Sequence, residues 1–176
     1  MNGLSRRIPQ LVMAGLVIGV FLLASRSGFR GAEPPSPRHP EFGQDRYASA
    51  TSASGLEVSL ADFSGRYVWV DYAAEWCAAC VPQSRAIRSL DQAMSGVVFV
   101  TVMTSEPQGY GHPATRATAA RWASRLSLDP DRVLAADFTA MTLPQHALFS
   151  PEGREVFRHT GQLSAGDIRQ RIQQVQ

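Results

Sequence analysis

The stretch "VWVDYAAEWCAAC", residues 68–80, decides the fold. Its first half is a run of β-branched and aromatic residues that follows a Ser64-Gly65 turn. Such a run, too apolar to alternate, is the signature of a strand buried on both faces. Its second half holds both cysteines of the chain, Cys77 and Cys80, three positions apart. Beyond them Val81, Ile87, Leu90 and Met94 recur at a helical period that Gly96 ends, so the spacing predicts a helix over 77–94. "VVFVTVM" (97–103) then reads as a second buried strand. A strand, a helix and a strand in this order imply a parallel pair with its crossover helix on one face.

Outward from this unit the signals are weaker but continuous. "TSASGLEVSLA" (51–61) has a glycine turn and alternation at Leu56, Val58 and Leu60, an N-terminal β-hairpin. Pro107, Gly109, Gly111 and Pro113 make a loop, and "ATRATAARWASRLSL" (114–128) reads as a helix. "QHALFS" and "REVFRHT", joined by "PEG", form a second hairpin, and "SAGDIRQRIQQV" (164–175) a closing helix capped by Ser164. The predicted order is β-hairpin, β, α, β, α, β, β, α: an α/β domain over residues 48–176 with a central sheet flanked by helices.

The first 47 residues are different in kind. Arg6 and Arg7 precede an uncharged apolar run, Leu11 to Ala24, laid out like the n- and h-regions of an export signal. Neither Ala24 nor Ser27 offers a good cleavage position, so residues 1–30 are read as a membrane anchor or signal segment, the uncleaved anchor being favoured. Residues 31–47, with four prolines between 34 and 40, read as a linker. The domain is then expected on the extracytoplasmic, periplasmic side of the inner membrane.

Charge follows the same division. All seventeen basic residues are arginines, and four lie in the first thirty positions, where there is no acid. The remaining thirteen face fifteen acids, so the body is slightly acidic. No basic stripe with interleaved aromatics survives there, which excludes nucleic acid as the expected partner.

Two cysteines at i, i+3 admit three uses. A structural staple closing so short a loop constrains the unfolded chain by only about 2 kcal/mol. A zinc site needs two more ligands, and His39, His112, His146 and His159 show no paired spacing. A copper site built of Cys77, Cys80 and His146 is a remaining alternative, a metal-delivery module. A redox pair uses every feature: a helix start favours the thiolate of Cys77, and Cys80 one turn deeper can resolve a mixed disulfide.

These residues resemble the thioredoxin superfamily, in particular its TlpA/ResA-like membrane-anchored branch, whose lead-in is similar to "GLEVSLADFSGRYV" (55–68). The C-terminal domain of the DsbD electron transporter is also similar around "AEWCAAC". The resemblance spans residues 54–175 and implies a thioredoxin-like fold and a thiol–disulfide oxidoreductase with no cofactor beyond the Cys77–Cys80 pair. It implies Cys77 as nucleophile, Cys80 as resolving thiol and Asp71 as the buried acid that exchanges a proton with Cys80. Leu143 and Pro144 match the cis-proline corner that meets the substrate chain, and Trp76 is expected at the rim. The partners it implies are protein disulfide and dithiol substrates and an upstream thiol electron donor. The chain departs from the pattern at Ala78-Ala79, at Pro82, which is expected to perturb the helix start, and at Gln145. His146 is either an outward strand position or a residue that faces the site.

Overall fold

In the computed structural model, the structure describes Gly43, Arg46 and residues 48–106, 112–140 and 142–176. The predicted anchor and nearly all of the predicted linker lie outside the described residues. Among the described residues seven strands and three helices follow one another as β1 (Ala50–Ser52), β2 (Glu57–Val58), β3 (Tyr67–Ala73), α1 (Cys80–Ala93), β4 (Val97–Ser105), α2 (Arg116–Leu126), β5 (Val133–Thr139), β6 (Gln145–Phe149), β7 (Glu155–Thr160) and α3 (Ala165–Gln173), with a 3₁₀ turn at Leu60–Phe63 between β2 and β3. They form one mixed sheet in the order β2-β1-β5-β4-β3-β6-β7. The core strands β3, β4 and β5 are parallel, and β1, β6 and β7 run antiparallel to their neighbours.

The fold is thioredoxin-like, with the N-terminal hairpin in place: Ala50 pairs with Val58 and Thr51 with Glu57. Strand β5 is the element that the sequence reading leaves out. Its middle, Ala135-Ala136-Asp137, has low strand propensity, and "LDPDR" (128–132) before it reads as loop. Tertiary pairing overrides that preference. β5 is clamped between β4 and β1, with Val133 and Leu134 fully buried.

Chain order explains the layering. β3, β4 and β5 step across the sheet in one direction, so two right-handed crossovers place α1 and α2 on the same face. On that face Trp69, Phe99 and Leu148 pack against Ile87 and Leu90 of α1 and Ile168 and Ile172 of α3. Ala73 and Met103 pack against both cysteines and against Ala119 and Trp122 of α2. The next residues along β3 and β4, Val68, Val70 and Tyr72 with Val98, Val100 and Val102, turn to the opposite face, as a period of two requires. Among the described residues no helix lies on that face, because only residues 140–144 separate β5 from β6. It is met instead by Leu60 and Phe63 of the 3₁₀ turn. Gly43 crosses it so closely that a Cβ there would stand 2.7 Å from Phe149 Cζ.

Helix α1 begins at Cys80 rather than Cys77, and Pro82 does not disturb it. As the third helical residue Pro82 lacks an N–H that would have had no partner within the helix. Helix α3 is fixed by a reciprocal cap: Ser164 Oγ accepts from the Asp167 N–H at 3.1 Å, and Asp167 Oδ2 accepts from the Ser164 N–H at 3.0 Å. Ser164→Ala is expected to lower stability by about 1 kcal/mol, seen as a lower urea midpoint at unchanged slope. An unchanged midpoint would mean that packing of Ile168 and Ile172 alone holds the helix.

Candidate active site

Strand β3 delivers the site. Trp69, Asp71 and Ala73 share the face that looks toward α1, and the chain leaves β3 at Ala74 through the turn carrying Glu75 and Trp76. Cys77 and Cys80 are joined in a disulfide, with Cα atoms 5.3 Å apart. Cys80, the first residue of α1, is fully buried, while Cys77 stands before the helix and keeps a sliver of exposure. Trp76 beside it is 42% exposed and forms the rim.

The helix start is aimed at Cys77. Ala79, at the cap position, offers no side-chain acceptor, and the first turn has no acid. The N–H of Cys80 is shared between Cys77 Sγ and the Cys77 carbonyl, each at 3.1 Å. A helix-terminal donor directed at a sulfur stabilises its thiolate over its thiol.

Asp71 lies behind the pair, fully buried. Burial pushes its carboxyl above the ordinary Asp value, opposed by His146 and by the Ser84 hydroxyl. Ser84, one turn beyond Cys80 on the same side of α1, donates to Asp71 Oδ2 at 3.3 Å and accepts from the Trp122 indole N–H at 3.2 Å. Across the sheet, Asp71 and His146 are register partners. His146 Nδ1 comes within 3.1 Å of Asp71 Oδ1. That is hydrogen-bonding distance, but the two atoms are not aligned as a hydrogen bond, and neither has another partner. We therefore treat the contact as a close approach of two polar atoms that a proton or charge must reconcile.

The Leu143–Pro144 peptide is cis. Pro144 is buried, and Leu143 packs against the cysteine cluster. The loop after β7 braces this corner. Gly161 donates its N–H to the Pro144 carbonyl at 2.9 Å, and its own carbonyl lies 3.0 Å from His146 Nε2. Gln162 Nε2 donates to the Ala79 carbonyl between the two cysteines at 3.0 Å. At φ +106°, Gly161 occupies backbone space that other residues enter only with strain.

All six residues singled out from the sequence, Asp71, Trp76, Cys77, Cys80, Leu143 and Pro144, thus lie at or directly behind one end of the sheet. Sequence reasoning passed over Ser84, Trp122 and Gly161. Ser84 carries a readable signal, its i+4 spacing from Cys80, whereas Trp122 and Gly161 are brought in only by the tertiary fold. The copper alternative needs His146 to fold back onto the cysteines, but its ring nitrogens face Asp71 and Gly161 instead. Among the described residues no three His, Cys, Asp or Glu side chains come together as a metal cluster. Glu75 forms a two-pronged pair with Arg121 at 2.9 Å that lowers its carboxyl pKa, an exposed contact at the margin of the site.

A CxxC disulfide at the start of a helix, after the central strand of a thioredoxin-like sheet, is the site of the thiol–disulfide oxidoreductase class. The chain belongs to the AhpC/TSA family, whose family model matches residues 40–155. No curated protein matches it. Among solved structures it is similar to MTB DsbF, with a TM-score of 0.62 and 17% identity, covering 76% of this chain and 98% of that one. A secreted Mycobacterium tuberculosis disulfide oxidoreductase homologous to E. coli DsbE gives 0.58 at 17% identity, over 72% and 94% of the two chains. The exposed lipoprotein thioredoxin Etrx1 of Streptococcus pneumoniae gives 0.57 at 20%, over 72% and 97%.

The burial of Asp71 has a signed consequence. An ionised Asp71 is penalised in the folded protein and not in the unfolded chain. Wild-type stability is therefore expected to fall as pH rises from 3.8, the ordinary Asp value, through the raised folded value. Asp71→Asn removes the charge, so its advantage over wild type is expected to be absent near pH 4, to grow through that interval and then to level off. Urea denaturation of the two oxidised proteins across pH measures this, and a constant difference would contradict it.

Proposed function

We propose that this protein is an exported thiol–disulfide oxidoreductase that reduces protein disulfides through a mixed disulfide on Cys77. The observation that carries the reading is the division of the pair: Cys77 receives the N–H of Cys80 and keeps the pair's one sliver of exposure, while Cys80 is fully buried. In the reduced protein the Cys77 thiolate attacks one sulfur of a substrate disulfide. The other substrate sulfur leaves as a thiolate and is protonated by solvent. Cys80 then loses its proton toward Asp71, and its sulfur attacks Cys77 Sγ, expelling the second substrate thiolate. Two enzyme thiols become one disulfide as one substrate disulfide becomes two thiols, and an upstream dithiol donor restores the starting state.

Trp76, Leu143 and Pro144 supply the surface on which a substrate chain lies. The cis-proline corner packs Leu143 against the cysteine cluster, a setting in which a partner chain can pair beside the sulfurs. The arginine-led apolar run before residue 30 supports export and anchoring at the inner membrane, in keeping with work outside the cytoplasm. The reducing direction rests on likeness to the TlpA/ResA-like branch. A reduction potential near thioredoxin's, about −270 mV, agrees with it, whereas one near about −120 mV marks an oxidant.

Substitution of each cysteine tests the mechanism. Cys77→Ser is expected to abolish reaction with any disulfide. Cys80→Ser is expected to attack but not resolve, accumulating a dithiothreitol-sensitive adduct with its substrate in cells. If Cys77→Ser traps the adduct and Cys80→Ser does not, the roles are reversed. Loss of tight copper binding in both variants, with no adduct from either, would replace the redox reading by the metal one.

A further inference from the structure

The donors and acceptors around Asp71 can be counted, and the count leaves a single proton unassigned. The Trp122 indole N–H only donates, so Ser84 Oγ accepts from it and spends its own hydrogen on Asp71 Oδ2. Asp71 Oδ2 is therefore an acceptor. At the other end the Gly161 carbonyl only accepts, so His146 Nε2, 3.0 Å away, carries a hydrogen. What remains is Asp71 Oδ1 facing His146 Nδ1 at 3.1 Å, both side chains fully buried and neither atom with another partner. With no proton between them, two lone pairs oppose each other out of reach of bulk solvent around a buried charge. With two, a hydroxyl and a ring N–H collide with no acceptor for either. One proton is the count that leaves neither atom opposed by its like.

We propose that Asp71 and His146 form a buried dyad that holds one proton between Oδ1 and Nδ1 while the disulfide is closed, and that this proton passes to the sulfur of Cys80 when the disulfide opens. His146 is the positioning residue of this dyad. The proposal rests on the reading of Asp71 as the proton partner of Cys80. When a donor thiolate attacks Cys77 Sγ, the Cys77–Cys80 bond breaks and its electron pair goes to Cys80 Sγ, which takes the dyad proton. In reverse, Cys80 attacks the mixed disulfide, its proton returns to the dyad and the partner thiolate leaves. The emptied dyad, a carboxylate opposed by a ring lone pair, is the less stable state, and this draws the proton back as Cys80 attacks.

The surroundings keep the count at one. The His146 ring lies 5.7 Å from that of Trp69 and 6.3 Å from that of His159, its cross-strand neighbour on β7. His159 is half-buried and feels Asp167 of α3, while Arg171 of α3 stacks over Phe157. From α1 the facing group is Ser84, bonded to Asp71, and from β3 it is Asp71 itself. No second carboxylate faces His146 among the described residues, so the proton is not diverted.

The test follows the pH dependence of the Cys80 step, the release of a preformed mixed disulfide on Cys77, in wild type, Asp71→Asn, His146→Leu and His146→Gln. Removing the imidazole takes away both the second site for the proton and the lone pair that opposes the empty carboxylate, so Asp71 gives its proton up more easily. The midpoint in His146→Leu is expected to move to lower pH, with release below the wild-type midpoint quickened roughly tenfold for each unit of displacement. A residue that only filled space would change the rate without moving the midpoint. Should His146→Leu not fold, His146→Gln, of similar polarity but unable to share a proton, decides. A measurement on the unaltered protein stands beside these: the ¹⁵N resonances of His146 are expected to show Nε2 protonated throughout and Nδ1 responding to opening of the disulfide. An Nε2 without a proton overturns the dyad. If Asp71→Asn flattens the profile while neither His146 variant shifts it, the dyad fails and Asp71 keeps its role. If Asp71→Asn leaves the profile unchanged, the reading of Asp71 fails and the dyad with it.

Discussion

A carboxyl group with no access to water, set in the middle of the central sheet, is the constraint around which this molecule is arranged. Asp71 has apolar strands on either side of its backbone and a helix over its face, so each of its oxygens must find a partner from the protein. It finds Ser84 from the overlying helix and His146 from the neighbouring strand. Those two are held in turn by Trp122 and Gly161, so five residues from five segments meet in one buried line. A half-satisfied network of this kind would be worse than an apolar core. The residues that complete it are therefore as much a part of the site as the sulfurs.

That network depends on the chain's route. Because β3, β4 and β5 are laid down in sequential order, the helices after β3 and β4 fall on the same side of the sheet. Only this brings the indole of Trp122 over Ser84, and with it the closure of the line on the helix side. The same route leaves residues 140–144 as the whole connection into β6. The cis-proline corner thus follows almost directly on β5 and is steadied from the far side, by the loop that leaves β7.

Much of this was legible beforehand. The strand at 67–73, the crossover helix, the second buried strand, both hairpins and the capped final helix each announce themselves by period or turn chemistry. Their placement around the cysteines followed from the parallel unit at residues 67–103. β5 was not legible because its middle is alanine and aspartate, residues that form a strand only when two neighbours already offer their edges. Pro82 suggested a disturbed helix because its position in the first turn was not known to within the three residues that matter. His146 was ambiguous for a related reason. Parity along a strand tells which residues share a face, but only the register with β3 shows that this face meets Asp71 rather than solvent. Trp122 and Gly161 had no local signal at all, since their partners lie 38 and about 15 residues away in sequence.

Gly161 has one peptide on either side and uses both. The N–H on its amino side steadies the carbonyl of the buried Pro144, in the corner proposed to meet another chain, and its carbonyl steadies the imidazole behind the sulfurs. The outer and inner halves of the site therefore share a single mechanical support. A neighbouring strand that tugs at the proline corner pulls on the same residue that orients the imidazole. Docking and proton handling are in this sense one lever, with its fulcrum at a residue that has no side chain.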